Sequence, residues 1–159
     1  MGKSVVGEKL AQRLQWPFVD LDLAIEAREG MKVYEIFASK GETYFRNVEK
    51  GLLQQVLSGK ERVIAAGGGA VMDEGNLCLI KAESLLICLT AQAETLLARS
   101  RGGSKRPLLA GGNKLNNIKE LLHKRAEAYN QAHLKVDTEG RSVNQVVEQI
   151  IQVIRQSDD

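Results

Sequence analysis

Gly2-Lys3-Ser4, at the head of a run from Val5 to Leu14, is the first group of residues equipped for chemistry. In that run Val6, Leu10 and Leu14 recur at i, i+4 and i+8, the spacing of one helix face. A Gly-Lys-Ser at the mouth of a helix is the second half of a phosphate-binding loop. Backbone amides and the helix N-terminus hold an anion, the Lys reaches the outer phosphates, and the Ser hydroxyl takes a Mg²⁺. The complete pattern has a further Gly five residues before Gly2, on a loop leaving a buried strand, and no such residue precedes Gly2 in this chain. A tripeptide this short also arises by chance, so its weight depends on what accompanies it.

Four other constellations accompany it. Asp20 and Asp22 lie two apart at the end of the run Phe18–Asp22, which reads as a short buried strand, so both carboxylates would project from one face. Ligands gather at the carboxyl ends of parallel strands. One carboxylate would there serve a Mg²⁺ and the other accept a hydroxyl proton; the plain alternative is that Asp22 caps the next helix. Gly67-Gly68-Gly69 follows a second strand, 62–66, and three glycines in a row are costly in backbone entropy. Positive φ or close approach to a ligand would justify them, a flexible turn being the alternative.

Arg46 and Glu49 stand three apart on one helical face, and Arg125 and Tyr129 repeat the theme on a later helix. Exposed ion pairs of this kind are mostly inconsequential, but two arginines with planar forks also make a pincer for a carboxylate. Spacing alone leaves their convergence open. Arg99, Arg101, Lys105 and Arg106 crowd a Gly-rich stretch before Pro107-Leu108-Leu109. Cations on a mobile loop suit a lid that closes over phosphates, or else simply a solvated surface. His123 and His133 have no triad or metal partners at useful spacing and are read as incidental.

The elements that must position these residues alternate. After the first helix and the strand 18–22 come two short helical pieces within 23–40, split at Glu29-Gly30, and a longer helix from Gly41 to about Leu57. The strand 62–66 leads to a short helix over 76–81 and an apolar strand, 84–89, expected to be buried on both faces. Helices over 92–100, 115–132 and 143–155 and a strand over 134–136 complete the chain, with a frayed end at Ser157-Asp158-Asp159. Strands alternating with helices predict a parallel sheet wrapped on both sides.

Composition sets looser bounds. The 159 residues fit one domain, and 43% hydrophobic content supports a core. A net charge of +2 supplies no field demanding nucleic acid or an anionic membrane, and 4% aromatics argue against base-stacking platforms. Cys78 and Cys88 stand in apolar surroundings without metal-ligand company, and read as buried thiols of a reducing cytosol. No apolar run has membrane-spanning length and no signal-peptide core appears, so the expected setting is cytoplasmic.

Taken together in this order and spacing, the motifs resemble the shikimate kinase family from Gly2 to about residue 150. The match consists of Gly2-Lys3-Ser4, Asp20-x-Asp22, Gly41-Glu42-x-x-Phe45-Arg46-x-x-Glu49, the triple glycine, Arg106-Pro107-Leu108-Leu109 and Arg125-x-x-x-Tyr129. The resemblance implies a P-loop NTPase-like α/β fold, a parallel sheet of family order 2-3-1-4-5 flanked by helices on both faces. It implies one kinase domain over 1–159, with substrate-binding helices at 23–59 and a lid loop at 101–114. The family transfers the γ-phosphoryl of ATP, with Mg²⁺, to the 3-hydroxyl of shikimate in aromatic amino-acid synthesis.

Carried onto this chain, Lys3 would contact the phosphates, with Gly2, Val5 and Arg141 also on the nucleotide, and Ser4 the Mg²⁺ with Asp20 helping through water. Asp22 would bind the shikimate hydroxyls and accept the reacting proton. Arg46 and Arg125 would hold the carboxylate, with Glu49 orienting Arg46, and Gly67, Gly68 and Gly69 would offer backbone to the substrate. Arg106 would meet the γ-phosphate and Arg99 lie along the adenine. Asp22, Lys3 and Arg106 would thus be the catalytic residues, in a monomer whose partners are shikimate and ATP, with neither nucleic acid nor membrane.

Two departures qualify this. The adenine loop keeps Asp137-Thr138, but the Pro usual a few residues on is Val143, which puts the loop's stiffness in question. Strand 1 and the first half of the phosphate loop are absent before Met1. Met1 is therefore expected to be a misplaced start, with an apolar strand and Gly-x-x-Gly-x upstream. Three rival readings have their own discriminators. A gluconate kinase would carry a Leu-Asn-Asp-x-Asp-Arg signature, which is absent here. A nucleoside monophosphate kinase would be competed by AMP and not by shikimate. A truncated, non-catalytic remnant would keep the arginine pincer, binding shikimate or a partner without turning over ATP.

Overall fold

The computed structural model describes residues 2–100 and 114–157. Lys105, Arg106 and Pro107-Leu108-Leu109 of the expected lid, together with Arg101, lie outside the described residues, as do Met1, Asp158 and Asp159. Helix α1 runs Gly2–Leu14, so the helical turn begins on the Gly-Lys-Ser itself. Strand β1 is Phe18–Asp20, α2 is Leu21–Glu29 and α3 is Val33–Leu57. Strand β2 is Val63–Ala65; a single 3-10 turn, Ala70–Met72, follows the triple glycine and leads to α4, Glu74–Glu83. Then come β3, Ile87–Thr90; α5, Ala93–Ser100; α6, Lys114–Tyr129; β4, Leu134–Asp137; and α7, Val143–Ser157.

Local chemistry accounts for most boundaries. Gly30, at φ 68°, closes α2 in the left-handed conformation that favours glycine, its N–H donating to the Glu26 carbonyl. Gly41, at φ 87°, breaks α3 where the sequence opens a new helix, and so re-aims the half that carries Phe45, Arg46 and Glu49. Ser142 caps α7, its hydroxyl accepting from the Gln145 N–H while the Gln145 side chain accepts from the Ser142 N–H. Val143 thereby occupies the first helical position, where Pro is otherwise favoured.

The strands are parallel and lie in two pairs. Phe18, Val19 and Asp20 face Val63, Ile64 and Ala65, and Ile87 through Thr90 face Leu134 through Asp137. Among the described residues no strand joins β2 to β3. Between them lies a cavity of about 750 Å³ whose walls include Ile64 and Ala66 on one side, Ile87 and Leu89 on the other, and Val6 and Leu10 of α1. Strand β3 is consequently half-buried along its length, and not sealed on both faces as its apolar run suggested.

Two apolar clusters hold the layers. Leu21, Ile25, Ile36, Phe45, Leu53 and Leu77 knit α2, α3 and α4 together. Val6 and Leu10 of α1 pack on Val146, Val147, Ile150 and Ile151 of α7 with Val136 of β4 beneath. Burying each such side chain contributes roughly 1.5–3 kcal/mol. Neither cysteine is sealed in this core: Cys78 is exposed on α4 and Cys88 half-buried on β3, and both are free thiols. Burial pushes the Cys88 thiol up from its ordinary range. No described helix is long and apolar enough to cross a membrane.

Candidate active site

Pairing of β1 with β2 stops at Asp20 opposite Ala65, and the chain turns at once into α2. Asp20 is the cap of that helix, its Oδ1 accepting from the Leu23 N–H at 3.1 Å. Its Oδ2 accepts from the Ser4 hydroxyl at 2.6 Å, so one carboxylate ties the start of α1 to the start of α2. Asp22 is not on the strand; it lies in the first turn of α2, and the strand alternation expected to align it with Asp20 does not apply. The helical turn instead sends it toward the glycines: a Cβ placed on Gly67 would sit 3.5 Å from Asp22 Oδ1.

None of Gly67, Gly68 and Gly69 has positive φ, so backbone freedom is not the reason for them. Close approach is. A Cβ on Gly69 would lie 2.5 Å from Arg46 Nη2, and one on Gly68 would lie 2.5 Å from Arg125 Nη1 and collide with the Tyr129 hydroxyl. Tyr129 donates to the Gly68 carbonyl at 3.5 Å and receives from Arg125 Nη1 at 3.4 Å. Adjacent Cα atoms are about 3.8 Å apart. The two guanidinium groups, from α3 and α6, therefore each lie against one of two neighbouring glycines. The turn beneath them is braced by Asn76, 3% exposed, whose side-chain amide donates to the Ala70 carbonyl at 3.1 Å.

Arg46 is held in place. Its Nη1 donates to both oxygens of Glu49 at 3.0 and 3.2 Å, while its guanidinium lies over the Phe45 ring at 5.2 Å. The Glu49 side chain is 1% exposed, and burial raises its carboxyl above the ordinary range against the opposing pull of Arg46. With its carboxylate buried, this is not the exposed surface pair that i,i+3 spacing usually signals.

The other end of the site is at β4. Arg99 of α5 donates from Nη1 to the Thr138 hydroxyl at 3.0 Å and from Nη2 to its carbonyl at 3.4 Å. The Arg141 guanidinium is bound to Gln149 on α7, and Val5 is 54% exposed on α1. Lys3 stands on the wall of the cavity between β2 and β3. His133 is structural, its Nδ1 accepting from the Leu86 N–H at 2.8 Å. Sequence reading missed Asn76, a single Asn inside an apolar helix being unremarkable, and missed Glu139, which carries no motif.

Ser4 and Asp20 present adjacent hard oxygens. Mg²⁺ is held by one or two protein groups with phosphate oxygens and waters completing its octahedron, so this pair fits it. The described residues contain no group of three His, Cys, Asp or Glu side chains able to cage an ion without such help.

Comparison with known proteins bears directly on this arrangement. The family model described as Shikimate kinase matches residues 1–155. The chain belongs to the shikimate kinase family. It is 42% identical over 154 residues to the shikimate kinase of Persephonella marina, covering 97% of this chain and 93% of that one. It is 43% identical over 156 residues to that of Pelotomaculum thermopropionicum, covering 98% and 90%. Among solved structures, shikimate kinase from Acinetobacter baumannii in complex with shikimate superposes with a TM-score of 0.94 at 32% identity, covering 98% of this chain and 88% of that one. Shikimate kinase from Aquifex aeolicus gives 0.85 at 33%, covering 99% and 92%. The fold is thus the α/β P-loop kinase arrangement, parallel strands flanked by helices, and the gluconate and nucleoside monophosphate readings give way to shikimate kinase.

Proposed function

We propose that this chain transfers the γ-phosphoryl group of ATP to the 3-hydroxyl of shikimate. The observation that carries it is the placing of Arg46 against Gly69 and Arg125 against Gly68, with Asp22 beside Gly67. Two planar forks on one small patch suit a single carboxylate, and Glu49 turns Nη2 of Arg46 toward that patch. Substrate anchored there presents its hydroxyls to Asp22. As the oxygen attacks phosphorus, Asp22 accepts the hydroxyl proton, the bond between the γ-phosphorus and the bridging oxygen breaks, and ADP leaves. Lys3 and Arg106 would stabilise the negative charge on the transferring group, while Gly2, Val5 and Arg141 would line the nucleotide and Arg99 its adenine. Ser4, with Asp20 hydrogen-bonded to it, would hold a Mg²⁺, which would supply neutralisation of phosphate charge.

Residues 23–59 would supply the substrate side of one kinase domain, with 101–114 as its lid, in a cytoplasmic monomer. Support for the setting comes from two free thiols, Cys78 and Cys88. We also assign the cavity between β2 and β3 to a parallel strand that leads, through the first half of the phosphate loop, into Gly2. Its apolar walls and the two half-sheets that end on it support this, and a strand on the order of five residues is the ordinary length.

Asp22→Asn tests the catalytic reading. Shikimate-dependent ADP release should fall by about 10²–10⁴-fold, the usual range for a general base, with ATP affinity retained. Normal turnover in that variant, or wild-type activity on gluconate and none on shikimate, would overturn it.

A further inference from the structure

The loop after β4 lacks the stiffening Pro of its family, yet it is tied down at several points. Thr138, 8% exposed, donates from its hydroxyl to the Thr90 carbonyl at 2.9 Å, and its own N–H reaches the same oxygen at 2.8 Å. Gly140, at φ 65°, turns the chain tightly, and the Arg141 N–H closes back on the Thr138 carbonyl. Between these lies Glu139. Its Oε2 accepts from the Gln92 N–H at 3.1 Å, and its Oε1 accepts from the Thr95 hydroxyl.

Gln92 is the cap position of α5, since its carbonyl receives the Leu96 N–H. Its own N–H is one of the donors that a helix start leaves without an internal partner. In a capping box a Glu three residues into the helix reaches back to that N–H. Here that position is Thr95, too short for the task, and Glu139 performs it from another element while also holding the Thr95 hydroxyl. A carboxylate at a helix N-terminus is further favoured by the helix dipole. The Thr95 hydroxyl first, and then the Gln92 N–H, hold the Glu139 carboxyl below its usual range.

Residues 92, 95 and 99 fall at i, i+3 and i+7, on one face of α5. The Glu139 hydrogen bonds anchor the start of that face to the loop, and the Arg99–Thr138 hydrogen bonds anchor its end. We infer that Glu139 is a positioning residue for the nucleotide base: by fastening α5 to the loop after β4, it sets the gap between Arg99 and that loop. This rests on the shikimate kinase reading and on Arg99 lying along the adenine. Without the clamp α5 is free to drift from the loop, and the grip on the base weakens. The phosphates, gathered at the start of α1, are unaffected.

The test compares ADP with inorganic tripolyphosphate, by calorimetry, for wild type, Glu139→Ala and Glu139→Gln. The Ala variant should bind ADP about fivefold more weakly, the effect of one modest hydrogen bond, and tripolyphosphate as well as wild type does. Its ATP KM should rise alike, with shikimate KM and kcat held within about twofold. Gln keeps an oxygen for the Gln92 N–H and should recover most of the affinity. Equal weakening toward both anions, unaltered ADP binding in the Ala variant, or no recovery with Gln overturns the positioning role alone. Failure of the wild-type protein to bind ADP overturns the kinase reading and this role with it.

Discussion

Adding one methyl group to Gly68 should break the carboxylate pincer while leaving the fold standing. The new Cβ would start 2.5 Å from Arg125 Nη1 and closer still to the Tyr129 hydroxyl. Ordinary van der Waals separation requires both groups to retreat by about 1 Å. Gly68 has no positive φ, so alanine adds no backbone strain, and the colliding atoms are the ends of side chains that can swing away. The cost therefore falls on the site. A displacement of about 1 Å in a substrate-positioning group can cost on the order of 10²-fold in rate. In a coupled assay of ADP release, Gly68→Ala should lower kcat/KM for shikimate by about that factor, with ATP KM within about twofold. Gly69→Ala, 2.5 Å from Arg46 Nη2, should behave alike. Gly67→Ala supplies the control, because its Cβ would meet Asp22 at an ordinary 3.5 Å. If Gly68→Ala keeps normal shikimate kinetics, the glycines are a plain turn and the geometric argument fails; if Gly67→Ala is as damaging, contact with the guanidinium groups is not what sets the effect.

Two further outcomes are expected. Because burial raises the Glu49 carboxyl above its ordinary 4.5, the folded protein holds that proton more tightly than the unfolded chain does. Stability linked to Glu49 is then fully present below 4.5 and is lost as pH rises through the raised native value. In urea titrations Glu49→Gln should gain relative to wild type over that window while its shikimate KM increases; a pH-independent difference would contradict the assignment. A form carrying about a dozen more residues, a strand plus half a phosphate loop, should melt well above the 159-residue chain and turn over shikimate faster. Equal melting temperature and activity in the two forms would remove the strand from the cavity.

What the sequence determined by itself was local. The period of Val6, Leu10 and Leu14 placed α1 against a core, and three-residue spacing put Arg46 and Glu49 on one helix face. Four-residue spacing likewise joined Arg125 to Tyr129, because helix geometry makes such neighbours whatever the rest of the chain does. Even the motif order that resembles shikimate kinase is a property of the string. The remaining facts depended on which surfaces meet. Asp22 moved from strand to helix because pairing with β2 ends at Ala65 and Asp20 takes the cap, and neither residue announces that alone. Cys78 sits in an apolar stretch yet emerges exposed, since only one side of α4 faces the core. Gly68 and Gly69 owe their place to guanidinium groups from α6 and α3, with Tyr129 reaching Gly68 across 61 positions of chain. Interactions at that range follow from core packing summed over the whole molecule, and no local periodicity encodes them.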